Sequence, residues 1–276
     1  MNTLSVIIVN YKVKDLLLQC LECVGKASQG IDMQVFVVDN ASGDGAEVAV
    51  KERFQKVKFI QNKENVGFAK ANNVAIREAD SKYILLLNPD VFIPENCLKD
   101  VLDFASKAEK FGALGVRMID GDGNFLPESK RNKPSLWNSF CKISGLTKAF
   151  PKSRLFASYY NTELNDNEHG RTDILAGAFM LVNKEALGDY ALLCEDYFMF
   201  GEDVDLSRTI LDRGLYNYYL PVTVTHLKGK STNKRSKEYL NAFYGSMSIY
   251  YNRYHSGVFG RWLVKKAVNF IIWFKS

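Results

Sequence analysis

The sequence predicts an α/β fold built around a parallel sheet, and two observations predict it. The run Tyr83–Leu87 has no polar break and four of its five residues are aliphatic, as in a strand covered by helices on both faces. Strand-like and helix-like segments also alternate over residues 4–87, which is typical of β-α-β units. Right-handed connections in such units place the loops that follow the strands at one edge of the sheet.

Hydrophobic periodicity and turn residues predict each element in order. In the first 95 residues we expect strands at 4–10, 33–39, 57–61 and 83–87. Helices are expected between them at 13–26, 46–54 and 68–79. Beyond them we expect a helix at 94–111, a strand at 113–119, a turn at 120–123, a weakly periodic acceptor-facing segment at 128–170 and a strand at 173–182. The last expected elements are a helix at 202–213, strands at 215–219 and 222–225, and helical structure from 236.

Composition limits the classes of function. The chain has 276 residues, 47% of them hydrophobic and 24% charged, as in a globular protein with a substantial core. A formal net charge of +5 suits an anionic substrate or a membrane surface, and it is too small to indicate nucleic acid. Five cysteines without regular spacing, and an opening without a basic leader, predict the reducing cytoplasm. Cys20 and Cys23 are interpreted as packing residues.

Polar residues follow three of the predicted strands, at Asn10–Tyr11, Asp39–Ser42 and Asn88–Asp90. In open α/β sheets this edge binds ligands, so the three loops predict a nucleotide site. No G-x-G-x-x-G or G-x-x-x-x-G-K-[ST] motif occurs, so phosphate must be held by a metal ion and side chains. We expect Asp90 to bind that metal, with capping of the helix after Pro94 as the alternative.

A second acidic group lies at Glu202, Asp203 and Asp205, at the start of a predicted helix. The helix dipole favours acids there, but three acids within four positions exceed what capping needs. His226 follows a strand and precedes Lys228 and Lys230, which suits contact with a metal or a diphosphate. A structural role for His226 is equally supported.

These motifs, as an ordered set, resemble the family 2 inverting glycosyltransferases of the GT-A fold, closest to the rhamnosyltransferase-like branch of bacterial surface polysaccharide assembly. The resemblance covers residues 4–232 and rests on the following segments: Val9–Tyr11, Val38–Ser42, Asn65–Phe68, Asn72–Asn73, Leu87–Asp90, Gly177–Met180, Gly201–Asp205, His226 and Lys230–Ser231.

The resemblance implies a GT-A domain over 1–232 and a C-terminal helical extension over 233–276. Within the domain, a Rossmann-like half that binds the nucleotide-sugar, 1–95, is fused to a mixed-sheet acceptor half, 96–232. The implied reaction is metal-dependent transfer of a sugar, with rhamnose as one candidate, from a nucleotide-diphosphate donor. The acceptor would be a hydroxyl of a glycan or of a lipid-linked saccharide.

The resemblance also implies residue roles. Asp203 would be the general base and Glu202 its support, although the reverse assignment stays open. Asp90 and His226 would bind Mg²⁺ or Mn²⁺, with Asn88 in place of the first acid of an Asp-x-Asp motif. The nucleotide-sugar would be held by Val9, Asn10, Tyr11, Asp39, Asn40, Ser42, Asn65, Gly67, Lys70, Asn88 and Lys230. Asp39 would accept a hydrogen bond from a pyrimidine N–H. The sequence leaves open whether the Asn65–Gly67 loop reaches the edge of the sheet at which Asp39 lies.

The tail has two interpretations. Residues 256–276 are basic and carry tryptophan, so they could contact the inner face of the cytoplasmic membrane peripherally. The apolar run 267–274 is too short to span a bilayer. The alternative is packing on this domain or on a second copy in a homo-oligomer. For the whole chain, the rival functions are a sugar nucleotidyltransferase and a non-catalytic module that binds nucleotide-sugar or glycan.

Overall fold

The structure is a computed structural model that describes residues 2–151, 153–228, 237–255 and 257–275. Its described residues form one mixed sheet of nine strands with helices on both faces. The strands are β1 (Asn2–Asn10), β2 (Met33–Asp39), β3 (Val57–Gln61), β4 (Ser81–Leu87), β5 (Val91–Phe92), β6 (Phe111–Ile119), β7 (Gly170–Arg171), β8 (Phe179–Asn183) and β9 (Tyr216–His226).

Ten α-helices are present in the same described residues. They are α1 (Lys14–Ala27), α2 (Ala46–Arg53), α3 (Phe68–Glu78), α4 (Cys97–Lys107), α5 (Leu136–Ile143), α6 (Leu146–Ala149), α7 (Lys184–Leu187), α8 (Glu202–Asp212), α9 (Lys237–Tyr254) and α10 (Val258–Lys275). Short 3-10 turns lie at Pro127–Ser129 and Gly188–Ala191.

The predicted parallel half is confirmed. Strands β3, β2, β1 and β4 are neighbours in that order and all run parallel. The register places Asn10 opposite Asp39, and Asp39 opposite Gln61. Three strand ends therefore present polar side chains side by side at one edge of the sheet.

The second half adds antiparallel pairs to the same sheet. Strand β8 lies between β4 and β6 and is antiparallel to both. Strand β9 runs parallel to β6, and its last residues pair with β5, which puts Val91 opposite His226. The short strand β5 thus brings the chain after β4 next to the end of β9.

Alternate residues of the central strands enter two hydrophobic layers. Leu85 and Leu87 of β4 pack in the layer that contains α1 and α4, whereas Ile84 and Leu86 pack in the layer that contains α3 and α8. All four side chains are almost completely buried. This confirms that β4 is covered by helices on both faces, as its apolar run predicts.

Several predicted boundaries are wrong. The helix expected from Pro94 begins at Cys97, and the strand expected from Asp173 begins at Phe179. The two strands expected at 215–219 and 222–225 are one strand, β9, with an irregular register on β6 around Pro221. The weakly periodic segment 128–170 contains α5 and α6, and Ser135 caps α5 in a reciprocal capping box with Asn138.

The helical tail is confirmed. Leu240 and Tyr244 of α9 form a small core with Val268 of α10, and Val264 and Ile272 pack against that core. One apolar face of α10 is therefore used for packing within the chain. Among the described residues, none of the helices has the length and hydropathy needed to cross a bilayer.

Close packing of α8 on β6 gives a test of the fold. A Cβ atom at Gly112 would lie 2.2 Å from Ile210 Cγ2, so we expect Gly112→Ala to lower the free energy of unfolding by about 1–3 kcal/mol. A Cβ atom at Gly25 in α1 meets no atom within 4 Å, so Gly25→Ala should raise stability by about 0.5–1 kcal/mol. Urea unfolding of both variants checks this, and equal effects would contradict the packing.

Candidate active site

The strand-end residues of the parallel half form one hydrogen-bonded network around Asp39. Asn10 Nδ2 donates to Asp39 Oδ1 at 2.6 Å and to Ser42 Oγ at 3.1 Å. Asp39 Oδ2 accepts from Gln61 Nε2 at 2.7 Å and from the Ser42 backbone N–H at 2.8 Å. Burial acts to raise the pKa of Asp39, but hydrogen bonds from Ser42, Asn10 and Gln61 outweigh it and hold that pKa below its ordinary value.

This network leaves Asp39 with spare acceptor capacity. An ionised carboxylate offers about four lone-pair sites, and three of them are engaged at Asp39. Val9 is buried beneath the network, and Tyr11 at its rim is 37% exposed. The arrangement can hold a charged acceptor against a ligand N–H at the edge of the sheet.

The Asn65–Gly67 loop reaches the same edge, which the sequence leaves open. Asn40 Nδ2 donates to the Gly67 carbonyl at 3.1 Å, and Asn65 Oδ1 accepts from the Gly67 N–H at 3.0 Å. The Phe68 N–H donates to the Phe198 carbonyl at 2.7 Å. Gly67 has a φ of +87°, and a Cβ atom there would lie 2.4 Å from the Phe198 carbonyl oxygen, so only glycine fits. Lys70 is exposed one turn into α3.

Asp90 and His226 form a pair where β5 meets β9. Asp90 Oδ1 lies 3.4 Å from His226 Nε2, and each residue is 7% exposed. The Leu227 N–H donates to the Asp90 carbonyl at 2.9 Å, which fixes the loop. Helix α4 begins at Cys97 with Asn96 at its N-cap, so the alternative role of Asp90 as a helix cap is wrong.

The donor set of this pair fits a divalent cation. His226 Nδ1 is buried and has no hydrogen-bond partner, although a buried imidazole nitrogen normally has one. In the described part of the chain there is no group of three or more His, Cys, Asp or Glu that could hold a metal ion. A cation here would therefore rely on Asp90, His226 and oxygens from a ligand, as Mg²⁺ often does with substrate phosphates.

Glu202 and Asp203 occupy the first turn of α8, after Gly201 in a left-handed conformation. Asp203 Oδ2 accepts from Arg131 Nη2 at 2.7 Å and from the Gly177 N–H at 3.1 Å, while Oδ1 accepts from the Val204 N–H at 2.8 Å. Gly177 permits this approach, because a Cβ atom there would lie 3.2 Å from Asp203 Cβ. The lack of a side chain at Gly177 therefore lets the Asp203 side chain approach the backbone closely.

Glu202 differs from Asp203 in its environment, because one of its carboxyl oxygens has no hydrogen-bond partner. It is 7% exposed, and its Oε2 atom has no hydrogen-bond partner. Burial, followed by the charge of Asp203, raises the pKa of Glu202 to about 8. Near neutral pH the Glu202 carboxyl is therefore protonated, whereas Asp203 forms an ion pair with Arg131.

The two halves of the site meet at Gly177–Ala178. The Asn88 N–H donates to the Ala178 carbonyl at 2.9 Å, and the Gly177 N–H binds Asp203. The loop that carries Asp90 and the helix that carries Asp203 thus contact the backbone of two adjacent residues, Ala178 and Gly177. Lys230, the remaining predicted contact, lies outside the described residues.

Arg131 belongs to this site, although no motif in the sequence indicates it. Its side chain is 8% exposed, and besides Asp203 it donates from Nη1 to Tyr159 Oη at 3.2 Å and from Nη2 to the Leu175 carbonyl. Arg131 stands among other basic residues in a segment of weak periodicity, so no local pattern sets it apart. A backbone bridge between Arg131 and Ile174 brings it to the site.

A cavity of about 390 Å³ opens above Asp203. Arg131, Glu202 and Asp203 form its polar floor. Its walls are mostly apolar and come from α5, α9 and α10, through residues that include Leu136, Phe140, Phe243, Met247, Tyr250, Val264 and Val268. The arrangement can admit a molecule with a polar group at Asp203 and an apolar body.

One half of the fold is parallel and has a polar pocket at its strand ends. An antiparallel strand joins it to a second half, which carries paired carboxylates. This arrangement defines a GT-A glycosyltransferase. The chain belongs to glycosyl transferase family 2, whose family model matches residues 5–191. The predicted family and fold are confirmed, and the protein is an enzyme of the glycosyltransferase class.

Curated relatives include rhamnosyltransferases. The chain is 30% identical over 237 residues to the N-acetylglucosaminyl-diphospho-decaprenol L-rhamnosyltransferase of Mycobacterium tuberculosis, which covers 82% of this chain and 76% of that protein. It is 28% identical over 165 residues to the rhamnosyltransferase WbbL of Escherichia coli K12, which covers 56% of this chain and 58% of that protein.

Solved structures show the same fold at lower identity. TarS of S. aureus aligns over 90% of this chain with a TM-score of 0.59 and 18% identity. The mannosyltransferase PcManGT of Pyrobaculum calidifontis, solved with GDP-Man and Mn²⁺, aligns over 91% with the same TM-score and identity. The chain spans 38% of the TarS chain and 64% of the PcManGT chain.

The raised pKa of Glu202 gives a pH-dependent prediction. The pKa is about 8 in the folded state against 4.5 ordinarily, so the folded state binds more protons between these values and its stability falls as pH rises through them. Glu202→Gln removes this titration, so the variant should gain on the unmodified protein by on the order of 4 kcal/mol between pH 4.5 and 8. Urea unfolding across this range checks it, and parallel pH profiles would contradict it.

Proposed function

We propose that this enzyme transfers a hexose, with rhamnose as the leading candidate, from a nucleotide-diphosphate donor to a hydroxyl group. The acceptor is a glycan or a lipid-linked saccharide of a bacterial surface polysaccharide. The observation that carries the proposal is the junction at Gly177–Ala178, where the backbone of two adjacent residues binds Asp203 and the Asp90 loop. Family membership favours this function over a nucleotidyltransferase or a non-catalytic module.

The donor would bind to the half formed by residues 1–95, and the acceptor to the half formed by 96–232. The free lone pair of Asp39 suits a pyrimidine N–H, since Asn10, Gln61 and Ser42 hold the carboxylate in place. Tyr11 is exposed at the rim of the same pocket and offers an aromatic face to a base. Asn40, Asn65, Gly67, Lys70 and Asn88 complete the proposed donor side.

Asp90 and His226 would hold Mg²⁺ or Mn²⁺ in the donor complex. A relative of the same fold, PcManGT, was solved with GDP-Man and Mn²⁺, which supports the use of a divalent cation here. When bound, such a cation would neutralise the negative charge that develops on the diphosphate leaving group. The 3.4 Å separation of Asp90 Oδ1 and His226 Nε2, which is short enough for both atoms to bind one cation, is the observation in this chain that favours the assignment.

Asp203 suits the role of general base better than Glu202. Its Oδ2 atom is held by Arg131 and Gly177, and it lines the floor of the cavity. A base must be ionised before it can remove a proton, and the pKa of Glu202, raised to about 8 by burial and by Asp203, leaves Glu202 protonated at neutral pH. Glu202 would donate a hydrogen bond to the acceptor, and Asp203 would take the proton of the attacking hydroxyl.

Peripheral contact of residues 256–276 with the cytoplasmic membrane stays a hypothesis. Trp262 on α10 is 54% exposed, and an exposed tryptophan suits contact with a membrane surface. Val264, Val268 and Ile272 of the same helix pack towards α9, so the apolar side that contains them is already covered.

Asp203→Asn tests the base. We expect kcat/KM for transfer to fall by about 10²–10⁴-fold, because the amide cannot accept the hydroxyl proton, while the Kd for the nucleoside diphosphate stays within about twofold. Asp212→Asn, at the other end of α8, is the matched control and should retain transfer. Steady-state kinetics with calorimetry checks both, and full transfer by Asp203→Asn would remove it as the base.

Asp90→Ala and His226→Ala test the cation site. Each should weaken Mn²⁺-dependent binding of the nucleoside diphosphate by about tenfold or more, because each removes one of two protein ligands. Asp122→Ala, in an exposed turn, is the control. Calorimetry with and without Mn²⁺ is the measurement. An unmodified protein that binds the nucleotide equally well in both conditions would contradict the assignment.

A further inference from the structure

Half of the exposed large hydrophobic side chains in the described residues lie within one stretch of twenty positions. Ten such side chains are exposed in all, and five of them lie between residues 136 and 155. We call these five the α5–α6 face: Leu136, Trp137, Phe140, Phe150 and Leu155, each between 45% and 57% exposed. Concentrated apolar exposure of this kind marks a surface that contacts another phase or molecule.

The α5–α6 face is one contiguous surface. The Trp137 ring centroid lies 5.9 Å from Phe140 and 6.3 Å from Phe156, and the Phe150 centroid lies 5.4 Å from Phe156. Trp137 Nε1 also donates to the Leu155 carbonyl at 3.0 Å. Phe156 thus joins Trp137 of α5 and Phe150, the residue after α6, in one aromatic patch.

A fixed support lies beneath this face. Ser135 and Asn138 cap the start of α5, and Cys141 is completely buried on its inner side. Thr147 Oγ1 of α6 donates to the Phe156 carbonyl at 2.7 Å. The exposed rings are therefore held outward by a packed segment.

Positive charge predominates in the segment that carries this face. Two of its basic residues, Lys130 and Arg131, are buried and paired with Asp166 and Asp203, and Arg154 Nε lies 4.0 Å from Glu163 Oε1. Residues 130–162 contain seven lysine and arginine residues and no aspartate or glutamate, which exceeds the net charge of +5 for the whole chain. Lys148 and Arg154 lie exposed beside the rings. The sequence after Glu238, which supplies the opposite wall of the cavity, also lacks acidic residues. The α5–α6 face therefore complements a surface of negative charge.

The face continues into the proposed active site. Leu136 and Phe140 line the mouth of the cavity as well as the outer surface, and the floor of that cavity is Asp203. A molecule delivered along this face would therefore reach the proposed base without leaving apolar surroundings.

We propose that the α5–α6 face docks on an anionic phospholipid bilayer. Trp137, Phe150 and Leu155 enter the boundary between headgroups and acyl chains, while Lys148 and Arg154 contact lipid phosphates. A second copy of the chain is a poorer occupant, because a symmetric contact would oppose two acid-free basic segments. The inference deepens the proposed function, on which it rests only for the idea that the acceptor is presented at a membrane.

Vesicle flotation of the full chain tests the proposal without sugar or donor. The unmodified protein should float with phosphatidylcholine vesicles containing about 30% phosphatidylglycerol and much less with phosphatidylcholine alone, since an anionic surface attracts basic residues. The double variant Trp137→Glu with Phe150→Glu should lower the partition coefficient by about tenfold or more. Neither residue lines the cavity, so transfer to a water-soluble acceptor should remain.

Two matched controls make the result specific. Val48→Glu places a charge at a side chain that is 61% exposed on α2 and should not change flotation. Trp262→Glu places a charge on α10 and should have only a small effect on flotation. Loss of flotation with Trp262→Glu but not with the double variant would overturn the proposal, and so would an unmodified protein that does not float.

A second readout covers the case in which the double variant does not fold. The chain has three tryptophans, so a protein with Trp262→Phe and Trp273→Phe reports on Trp137 alone. Brominated lipid in anionic vesicles should quench its fluorescence, and unquenched emission at full vesicle binding would contradict the α5–α6 face. If the unmodified protein does not transfer sugar to the water-soluble acceptor, that result counts against the proposed function and not against membrane docking.

Discussion

The site depends on one constraint, the entry of β8 into the sheet between β4 and β6. Because the Ala178 carbonyl accepts from Asn88 and the Gly177 N–H donates to Asp203, the chain just before β8 contacts both halves of the site. A side chain at position 177 would press on Asp203 Cβ at 3.2 Å. The same backbone that completes the hydrophobic layers therefore contacts both the Asp90 loop and Asp203, the proposed base.

The carboxyl groups of Asp39, Glu202 and Asp203 differ in their surroundings, and these surroundings decide what each group can do. Asp39 is buried, yet hydrogen bonds from Ser42, Asn10 and Gln61 hold its pKa below the ordinary value, so it remains an acceptor. Glu202 is also buried, but its Oε2 has no hydrogen-bond partner, and burial followed by the charge of Asp203 raises its pKa to about 8. Asp203 stands next to Glu202 and pairs with Arg131, whose own pKa is raised by Tyr159 and Asp203 despite its burial. Chemistry at this site follows from partners and not from residue type alone.

The sequence predicted the parallel half well because its signals are local. Apolar runs define β1 to β4, and in-register parallel strands then bring Asn10 next to Asp39. Arg131 could not be predicted, because its position depends on a bridge to Ile174 rather than on its neighbours in the chain. Pro221 led to two predicted strands where β9 is continuous, since its partner β6 tolerates an irregular register there. Non-local pairing decides such cases, and one sequence does not encode it as a pattern.

The central claim is that a hydroxyl deprotonated by Asp203 attacks the donor sugar directly, in a single displacement. The anomeric configuration of the product tests this most directly, measured by NMR after transfer from a nucleotide-sugar of known configuration. A single displacement predicts that the configuration at the anomeric carbon is inverted. Retention of the donor's configuration would require a second displacement and would contradict the account.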